Sequence, residues 1–275
     1  MSQEIVVIKL GGASLQEPNI LEEFVRTVQG YLKYDYRVVV VHGGGPHINL
    51  ELKRRNISWE FIDGQRKTTT EMMSVIEEVL FHKVNASLVL QLKENRIDSR
   101  GLSGASDKLL LCSCASAELG QVGKIEAVDI APILEKMRAS PQCVLVIAPL
   151  GVGENGEKYN INADWAASKI ASALKAKKLI FLSDQDGILD SAQSLIPFVD
   201  VLGLKALLQS GAVSGGMYAK VLTIIDAIEN RVEEVRVMRG TDAYKGLWSD
   251  YVGTFCSALQ PKHLSYFPKT STTNF

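Results

Sequence analysis

Two apolar runs near the N-terminus each end in glycines, and no other feature constrains the fold as strongly. One run ends in KLGGAS, residues 9–14, and the other, with valine at 38–41, ends in HGGGPH, residues 42–47. Runs of valine are typical of strands that are buried inside a parallel sheet. If the two strands are parallel neighbours, both glycine turns lie at the carboxyl edge of the sheet, where open α/β folds bind ligands.

Strand-like and helix-like runs alternate along most of the chain. The apolar runs at 143–148, 178–183 and 234–238 are separated by helical periodicity at 163–176 and 215–229. This alternation predicts an α/β fold with a mainly parallel sheet. The 275 residues, nearly half of them apolar, suffice for one large domain or for two lobes.

Composition and the N-terminal segment exclude several classes of protein. The formal net charge is −1, which argues against a nucleic-acid partner because basic residues are not in excess. No apolar run approaches the roughly 20 residues that a transmembrane helix needs. The segment MSQEIVVIKLGG has no basic region and no cleavage site, so it does not resemble a signal peptide. We therefore expect a cytoplasmic protein with no membrane partner, whose four cysteines are reduced.

The glycine turns are suited to an anion, because residues without Cβ let successive N–H groups point at one ligand. The helix after Pro46 would add the positive end of its dipole. The alternative is that the glycines only form tight turns. Lys9 beside the first turn, and a third glycine pair at 215–216 followed by Lys220, favour the anion site over that alternative.

Neither common nucleotide-binding motif explains these turns. The Walker pattern is absent from the sequence. GVGENG at 151–156 matches G-x-G-x-x-G, but no helix is predicted after it and its Asn-Gly pair predicts a hairpin. We therefore reject a Rossmann site.

The segment NINAD, residues 160–164, alternates polar side chains before a helix. Capping by Asn162, and a favourable charge from Asp164 at the helix N-terminus, would explain part of the pattern. Capping does not explain Asn160. In an extended segment Asn160, Asn162 and Asp164 share one face, so the alternation predicts a polar cluster on that side of the chain.

Eight motifs occur in an order that resembles the amino acid kinase family, from about residue 4 to Thr254; they are KLGG, HGGGP, DGQRKT, GLSGASD, LGQVG, NINAD, SDQDGILD and GGMYAK. The resemblance implies a three-layer αβα sandwich around a mainly parallel central sheet, the carbamate kinase-like fold. It implies an N-terminal lobe, 1–162, for an acylated amino acid and the contact of a homodimer. A C-terminal lobe, 163–258, would bind ATP. Apart from the resemblance, the last residues lose their periodicity and end in polar side chains, so 259–275 is predicted to be a loosely held tail.

The same resemblance implies transfer of the γ-phosphoryl group of MgATP to the γ-carboxylate of N-acetyl-L-glutamate, the second step of arginine biosynthesis. It implies no tightly bound cofactor, with Mg²⁺ held through the ATP phosphates. It assigns Lys9 and Lys220 to the transferring phosphoryl group, and Asp164 to holding both lysines. For the acyl substrate it implies Gly44, Gly45, Arg66, Asn160 and Asn162. For ATP it implies Gly11, Gly12, Asp184, Gln185, Asp186, Gly187, Ile188, Leu189, Ala212, Val213 and Ser214.

These residue types suit that chemistry. A carboxylate with a pKa of about 4.3 is already ionised at pH 7 and needs no general base. The difficulty is that one anion must attack another, and lysines, N–H groups and Mg²⁺ supply the positive charge. Asp164 would keep Lys9 and Lys220 charged and in place.

Arg66 is interpreted as the clamp for a substrate carboxylate, through paired N–H bonds. The alternative is a solvated arginine before a helix. We favour the clamp because Thr68 and Glu71 form a predicted capping box that fixes its position, at the start of a helix reaching Lys93. His42 is interpreted as a hydrogen-bonded structural histidine with no chemical role.

Two other functions remain open. N-acetyl-aminoadipate is one methylene longer, and this acid or a carrier-linked relative could replace N-acetylglutamate as the acceptor. A regulatory binding protein could keep the fold without catalysis, although Lys9, Lys220 and Asp164 argue against it. Arginine-inhibited family members carry an extra N-terminal helix that links dimers into a ring. Only three residues precede the first strand here, so we expect a dimer that arginine does not inhibit.

Overall fold

The computed structural model describes residues 3–62 and 64–259. The strands in that part are β1 Ile5–Leu10, β2 Arg37–His42, β3 Phe61–Ile62, β4 Gln65–Arg66, β5 Ser99–Ser103, β6 Leu110–Cys114, β7 Gly123–Val128, β8 Val144–Ala148, β9 Leu150–Val152, β10 Lys158–Asn160, β11 Lys178–Ser183, β12 Phe198–Asp200, β13 Glu234–Arg239 and β14 Thr254–Ser257. The helices are α1 Pro18–Lys33, α2 Gly45–Arg54, α3 Thr70–Glu77, a π-helical segment Glu78–Asn85, α4 Ala86–Glu94, α5 Ala131–Ala139, α6 Ala163–Ala173, α7 Val201–Gln209 and α8 Gly215–Glu229. Short 3₁₀ turns lie at Ser14–Gln16, Gly240–Asp242 and Lys245–Leu247.

The main sheet has eight strands in the order β12-β14-β13-β11-β1-β2-β8-β5. Its pairs are parallel except β13 with β14, so the predicted α/β fold with a mainly parallel sheet is confirmed. A smaller sheet, β10-β9-β6-β7, contains the predicted hairpin: β9 and β10 are antiparallel, and Gly156 in their turn has φ of 92°.

Helices cover both faces of the main sheet, which gives the three predicted layers. Along β1, Val6 and Ile8 pack in one apolar core with α1 and α2, while Val7 packs in the other core with α6 and α8. Successive residues of a strand face opposite sides, so a strand with a core on each side is apolar along most of its length, as β1 is from Ile5 to Ile8. The sheet runs through both predicted lobes, and β1 joins β11 at its centre. The lobe boundary remains a prediction, and most of the predicted tail lies outside the described residues.

The register brings the two glycine turns together. Leu10 of β1 lies opposite His42 of β2, and the N–H of Gly43 donates to the carbonyl of Leu10 at 2.8 Å. A Cβ on Gly12 would lie 2.9 Å from the nitrogen of Gly44, and one on Gly43 would lie 2.8 Å from the nitrogen of Gly12. The two backbones therefore pack directly on each other, which requires glycine on both sides.

The helix predicted from the capping box to Lys93 is present, with two corrections. Its N-cap is Thr69, whose Oγ1 accepts from the N–H of Met72 at 3.3 Å, so the prediction of Thr68 was wrong by one residue. Thr68 has other partners: its carbonyl accepts from the N–H of Gln121, and its Oγ1 donates to the carbonyl of Arg66 and accepts from Nδ2 of Asn160. The middle of the helix widens into the π segment, an arrangement often found near functional sites.

Candidate active site

Asp164 is held between two lysines at the carboxyl edge of the sheet. Its Oδ1 lies 2.7 Å from Nζ of Lys9, and its Oδ2 accepts a hydrogen bond from Nζ of Lys220 at 2.6 Å. Lys9 belongs to β1, Asp164 to the first turn of α6 and Lys220 to α8. The exposed fraction of each of these side chains is between 10% and 13%. We call these three residues the lysine–aspartate triad.

Electrostatics keep the carboxylate of the triad ionised. Burial alone would raise the pKa of Asp164, but the charges of Lys9 and Lys220 outweigh it and hold this pKa well below its usual range. Burial and the charge of Lys9 lower the pKa of Lys220, while Asp164 opposes that shift. The triad carries an excess of one positive charge when both lysines are protonated, which suits a ligand with negative charge.

Two cavities meet at this triad, and both are lined by Lys9, Gly12, Ala13 and Asp164. The first cavity, of about 320 Å³, extends toward Gly43–Gly45, Phe61, Arg66, Asn160 and Asn162. The second cavity, of about 380 Å³, extends toward Gly11, Ser14, Ser183–Gln185, Ser214 and Lys220. A group passing from one cavity to the other would pass Lys9 and Gly12.

The first cavity contains a guanidinium with unused donors. Arg66 is 6% exposed, and its Nη2 donates to Oδ1 of Asn49 at 2.5 Å. Its carbon Cζ lies 4.7 Å from the ring centroid of Phe61 and 6.0 Å from that of Trp59. Nη1 is buried and has no partner among the described residues. A buried charged donor without an acceptor is costly, so the geometry favours an anionic ligand at this point.

The predicted polar cluster of NINAD faces the first cavity. Asn160, at the end of β10, donates from Nδ2 to Oγ1 of Thr68 at 3.2 Å. Asn162 caps α6, because its Oδ1 accepts from the N–H groups of Asp164 and Trp165 at 2.9 and 3.2 Å. Capping and cavity lining therefore coexist at Asn162, and all three predicted side chains line one cavity.

The glycine turns supply free backbone donors. The N–H groups of Gly12 and Gly44 make no hydrogen bond to any residue in 3–62 or 64–259. Gly44 precedes α2, whose first-turn N–H groups have no partners within the helix. These donors lie beside Lys9, so a phosphoryl oxygen there would meet both charge and N–H groups.

Comparison with known proteins identifies the family. The sequence model of the amino acid kinase family matches residues 4–239. The chain belongs to the amino acid kinase family. It is 39% identical over 249 residues to the acetylglutamate kinase of Geobacter metallireducens, a match that covers 87% of this chain and 85% of that protein. It is 38% identical over 251 residues to the acetylglutamate kinase of Bacillus mycoides, with 91% and 96% covered.

Solved structures share the amino acid kinase fold. The chain matches smu.665 from Streptococcus mutans with a TM-score of 0.77 at 23% identity, covering 93% of this chain and 99% of that one. It matches carbamate kinase from Giardia lamblia with a TM-score of 0.67 at 15% identity, covering 93% and 99%. These identities are low, so the two matches support the fold alone.

Some of the residues that were assigned to ATP from the resemblance to the amino acid kinase family line the second cavity, and the others do not. Gly11, Gly12, Asp184, Gln185 and Ser214 line the second cavity. Asp186, Gly187, Ile188, Leu189, Ala212 and Val213 do not. Ile188 and Val213 are buried in the core, and Asp186 pairs with Nε of Arg239 at 2.6 Å. Their role in binding ATP remains a prediction.

Sequence reasoning missed several residues of this amino acid kinase site. Asn49 holds Arg66, Phe61 lies against its guanidinium, and Ser183 and Met217 line the second cavity. Asn49 lies three residues after Pro46, so the helix that follows the glycine turn was the available signal. Nothing near Phe61 in the sequence indicates that its ring reaches Arg66.

The described part of this amino acid kinase contains neither a cluster of metal ligands nor a membrane-spanning helix. No group of three or more His, Cys, Asp or Glu side chains there could hold a metal ion. None of the helices there is both long enough and apolar enough to cross a membrane.

Arg66→Lys is expected to raise the KM for the acyl acceptor by about tenfold or more, and to change kcat less. Lysine keeps the charge but loses the planar pair of N–H donors, and a charge-assisted hydrogen bond contributes about 1.5–3 kcal/mol. Steady-state kinetics with varied acceptor measures the effect. The matched control is Arg26→Lys, at an exposed position on α1. An unchanged KM for the acceptor in Arg66→Lys would exclude the clamp.

Proposed function

We propose that this chain transfers the γ-phosphoryl group of MgATP to the γ-carboxylate of N-acetyl-L-glutamate, giving N-acetyl-L-glutamyl 5-phosphate and ADP. One observation carries the proposal: two cavities meet at Lys9, Gly12 and Asp164. The first cavity has the unpaired Nη1 of Arg66, which suits a carboxylate of the acceptor. The second cavity has a glycine turn and Lys220, which suit polyphosphate.

The reaction follows from the placement of charge. The acceptor carboxylate is ionised at pH 7 and attacks the γ-phosphorus, the bond to the β–γ bridging oxygen breaks, and the charge passes to ADP. Lys9 lines both cavities, so its ammonium stabilises the phosphoryl group in transit. Lys220 lines only the second cavity, so it stabilises the charge of the leaving phosphate. Mg²⁺ enters with ATP as part of the substrate.

The names of the relatives support the choice of acceptor. Both the Geobacter and the Bacillus relatives are acetylglutamate kinases, and their likeness extends over most of the chain. This supports a place in arginine biosynthesis. The closest alternative is N-acetyl-aminoadipate, because one methylene changes binding in an apolar pocket by only about 1–3 kcal/mol.

Hydroxylamine trapping tests the proposed function. The protein is incubated with MgATP, hydroxylamine and either N-acetyl-L-glutamate or N-acetyl-aminoadipate, and the acyl hydroxamate is measured. We expect a kcat/KM for N-acetylglutamate that is at least about tenfold higher, as one well-packed methylene allows. Product with the longer acid alone would overturn the choice of acceptor. Product with neither acid would favour a regulatory binding protein.

We also propose a cytoplasmic homodimer. The cysteines at 112, 114, 143 and 256 are all free, as is typical of a reducing compartment. The proposal of a dimer is based on the family resemblance. Sedimentation equilibrium tests it. A monomer or a hexamer at micromolar concentration would contradict it.

A further inference from the structure

A buried polar chain lies behind the HGGG turn, outside both cavities. His42, the last residue of β2, is 0% exposed, and Asn85 ends the π segment. Nδ2 of Asn85 lies 3.2 Å from Nε2 of His42 and donates to the carbonyl of Val146 at 2.9 Å. Nδ1 of His42 lies 2.8 Å from the carbonyl oxygen of Gly43.

These contacts determine the tautomer of the histidine. The carbonyl of Val146 requires the amide nitrogen of Asn85 to point toward it, and an amide nitrogen only donates. Nε2 of His42 must therefore accept, so the proton is on Nδ1 and is donated to the carbonyl of Gly43. Burial lowers the pKa of His42 to about 4, so the ring is neutral at pH 7 and can do both.

The donated proton determines the orientation of the next peptide. The Gly43–Gly44 bond is trans, so its C=O and N–H point in opposite directions. Because the C=O faces His42, the N–H of Gly44 points away from the ring. A Cβ on Gly12 would lie 2.9 Å from that nitrogen, so the first glycine turn lies next to the N–H of Gly44. The N–H of Gly44 has no acceptor among the described residues.

We infer that His42 and Asn85 are positioning residues, which hold the Gly43–Gly44 peptide so that the N–H of Gly44 faces the phosphoryl group in transit. The inference rests on the proposed function. A rotated peptide would present a carbonyl oxygen to the phosphoryl group, and that oxygen would repel it. A donor oriented before the reaction needs no reorganisation during it.

The surrounding chain is built around this orientation. A Cβ on Gly101 of β5 would lie 2.2 Å from Oδ1 of Asn85, so only glycine leaves room for the amide. A Cβ on Gly44 would lie 2.4 Å from Cδ2 of Leu80, so the π segment also packs on the turn. The widened helix thus supplies both the amide that orients His42 and the side chain that covers Gly44.

A pair of substitutions at His42 separates orientation from packing. The amide nitrogen of asparagine occupies nearly the position of Nδ1 of histidine, so His42→Asn keeps the donor to Gly43, whereas His42→Leu removes it. We expect His42→Leu to lower kcat about 10- to 100-fold with KM values within about threefold, because loss of one donor to the reacting group acts mainly on kcat. His42→Asn should keep kcat within about fivefold of the unaltered protein. His82→Leu, at an exposed position of the π segment, is the control.

Equal losses of kcat in His42→Leu and His42→Asn would overturn the inference, as would an unchanged kcat in His42→Leu. If His42→Leu does not fold, Asn85→Leu replaces it, and the same loss of kcat with unchanged KM is expected.

The amide ¹H–¹⁵N resonance of Gly44 gives a readout that needs no substrate. It should move in His42→Leu and stay near its position in His42→Asn. If the unaltered protein makes no hydroxamate but the resonance behaves this way, the proposed function fails and the orientation stands; an unmoved resonance overturns the orientation.

Discussion

Lys9→Met is expected to lower kcat about 100- to 1,000-fold while the Kd of MgATP changes by less than about tenfold. Methionine has a similar length and no charge. Lys9 lines both cavities, so its ammonium is placed to act on the group in transit more than on bound ATP. Removal of one group that stabilises transition-state charge typically costs about 10²–10³ in kcat.

Hydroxamate formation at saturating substrates measures kcat, and calorimetric titration measures the Kd of MgATP. Lys93→Met, at an exposed position of α4, is the matched control and should retain full activity. Lys220→Met provides the contrast: because Lys220 lines the second cavity alone, its loss should weaken MgATP binding as well. A kcat for Lys9→Met within threefold of the unaltered protein would remove Lys9 from the mechanism.

Asp164→Asn is expected to reduce the free energy of unfolding by about 3–5 kcal/mol, the usual cost of removing one partner from a buried ion pair. It would also lower kcat, because Lys9 and Lys220 would repel each other without the carboxylate that holds one on each oxygen. Urea denaturation and hydroxamate kinetics measure the two effects. Asp129→Asn is the control, since Asp129 is exposed and its Oδ1 accepts a hydrogen bond from the N–H of Ala131 at 2.9 Å.

The stabilisation that Asp164 gives to the folded protein should decrease as the pH falls. The pKa of Asp164 is held well below its usual range by Lys9 and Lys220, against burial, so its contribution is complete above the pKa of the unfolded chain, about 3.9. The contribution is lost as the pH falls toward the lower pKa of the folded state. The difference in unfolding free energy between the unaltered protein and Asp164→Asn should therefore narrow below pH 4. A difference that stays constant from pH 7 to pH 3 would contradict this account.

Much of the fold could be predicted because its signals are local. The valine run of β2 and the glycines after it indicate a buried strand and a close backbone approach, and both are present. The alternation in NINAD indicates three polar side chains on one face, and they line one cavity. Periodicity and turn residues act over a few positions, so a single sequence records them.

Other parts of the site could not be predicted, because they depend on contacts between distant residues. Thr69 and not Thr68 caps α3, since Thr68 is paired with residues some 50 positions away. In the sequence, Asn85 is one more polar residue of a predicted long helix. Only the folded chain brings its side-chain amide to His42 of β2 and to the carbonyl of Val146 in β8.

The sequence by itself determined the alternating elements, the two glycine turns and the residue types of the lysine–aspartate triad. Tertiary structure alone decided that Lys9 of β1 and Lys220 of α8 both lie within 2.7 Å of the carboxylate oxygens of Asp164, in α6. It also decided which tautomer His42 adopts and which way the Gly43–Gly44 peptide faces. The physical reason is that side-chain periodicity follows from the local backbone, whereas ion pairs and tautomers follow from whichever partners the folded chain places alongside.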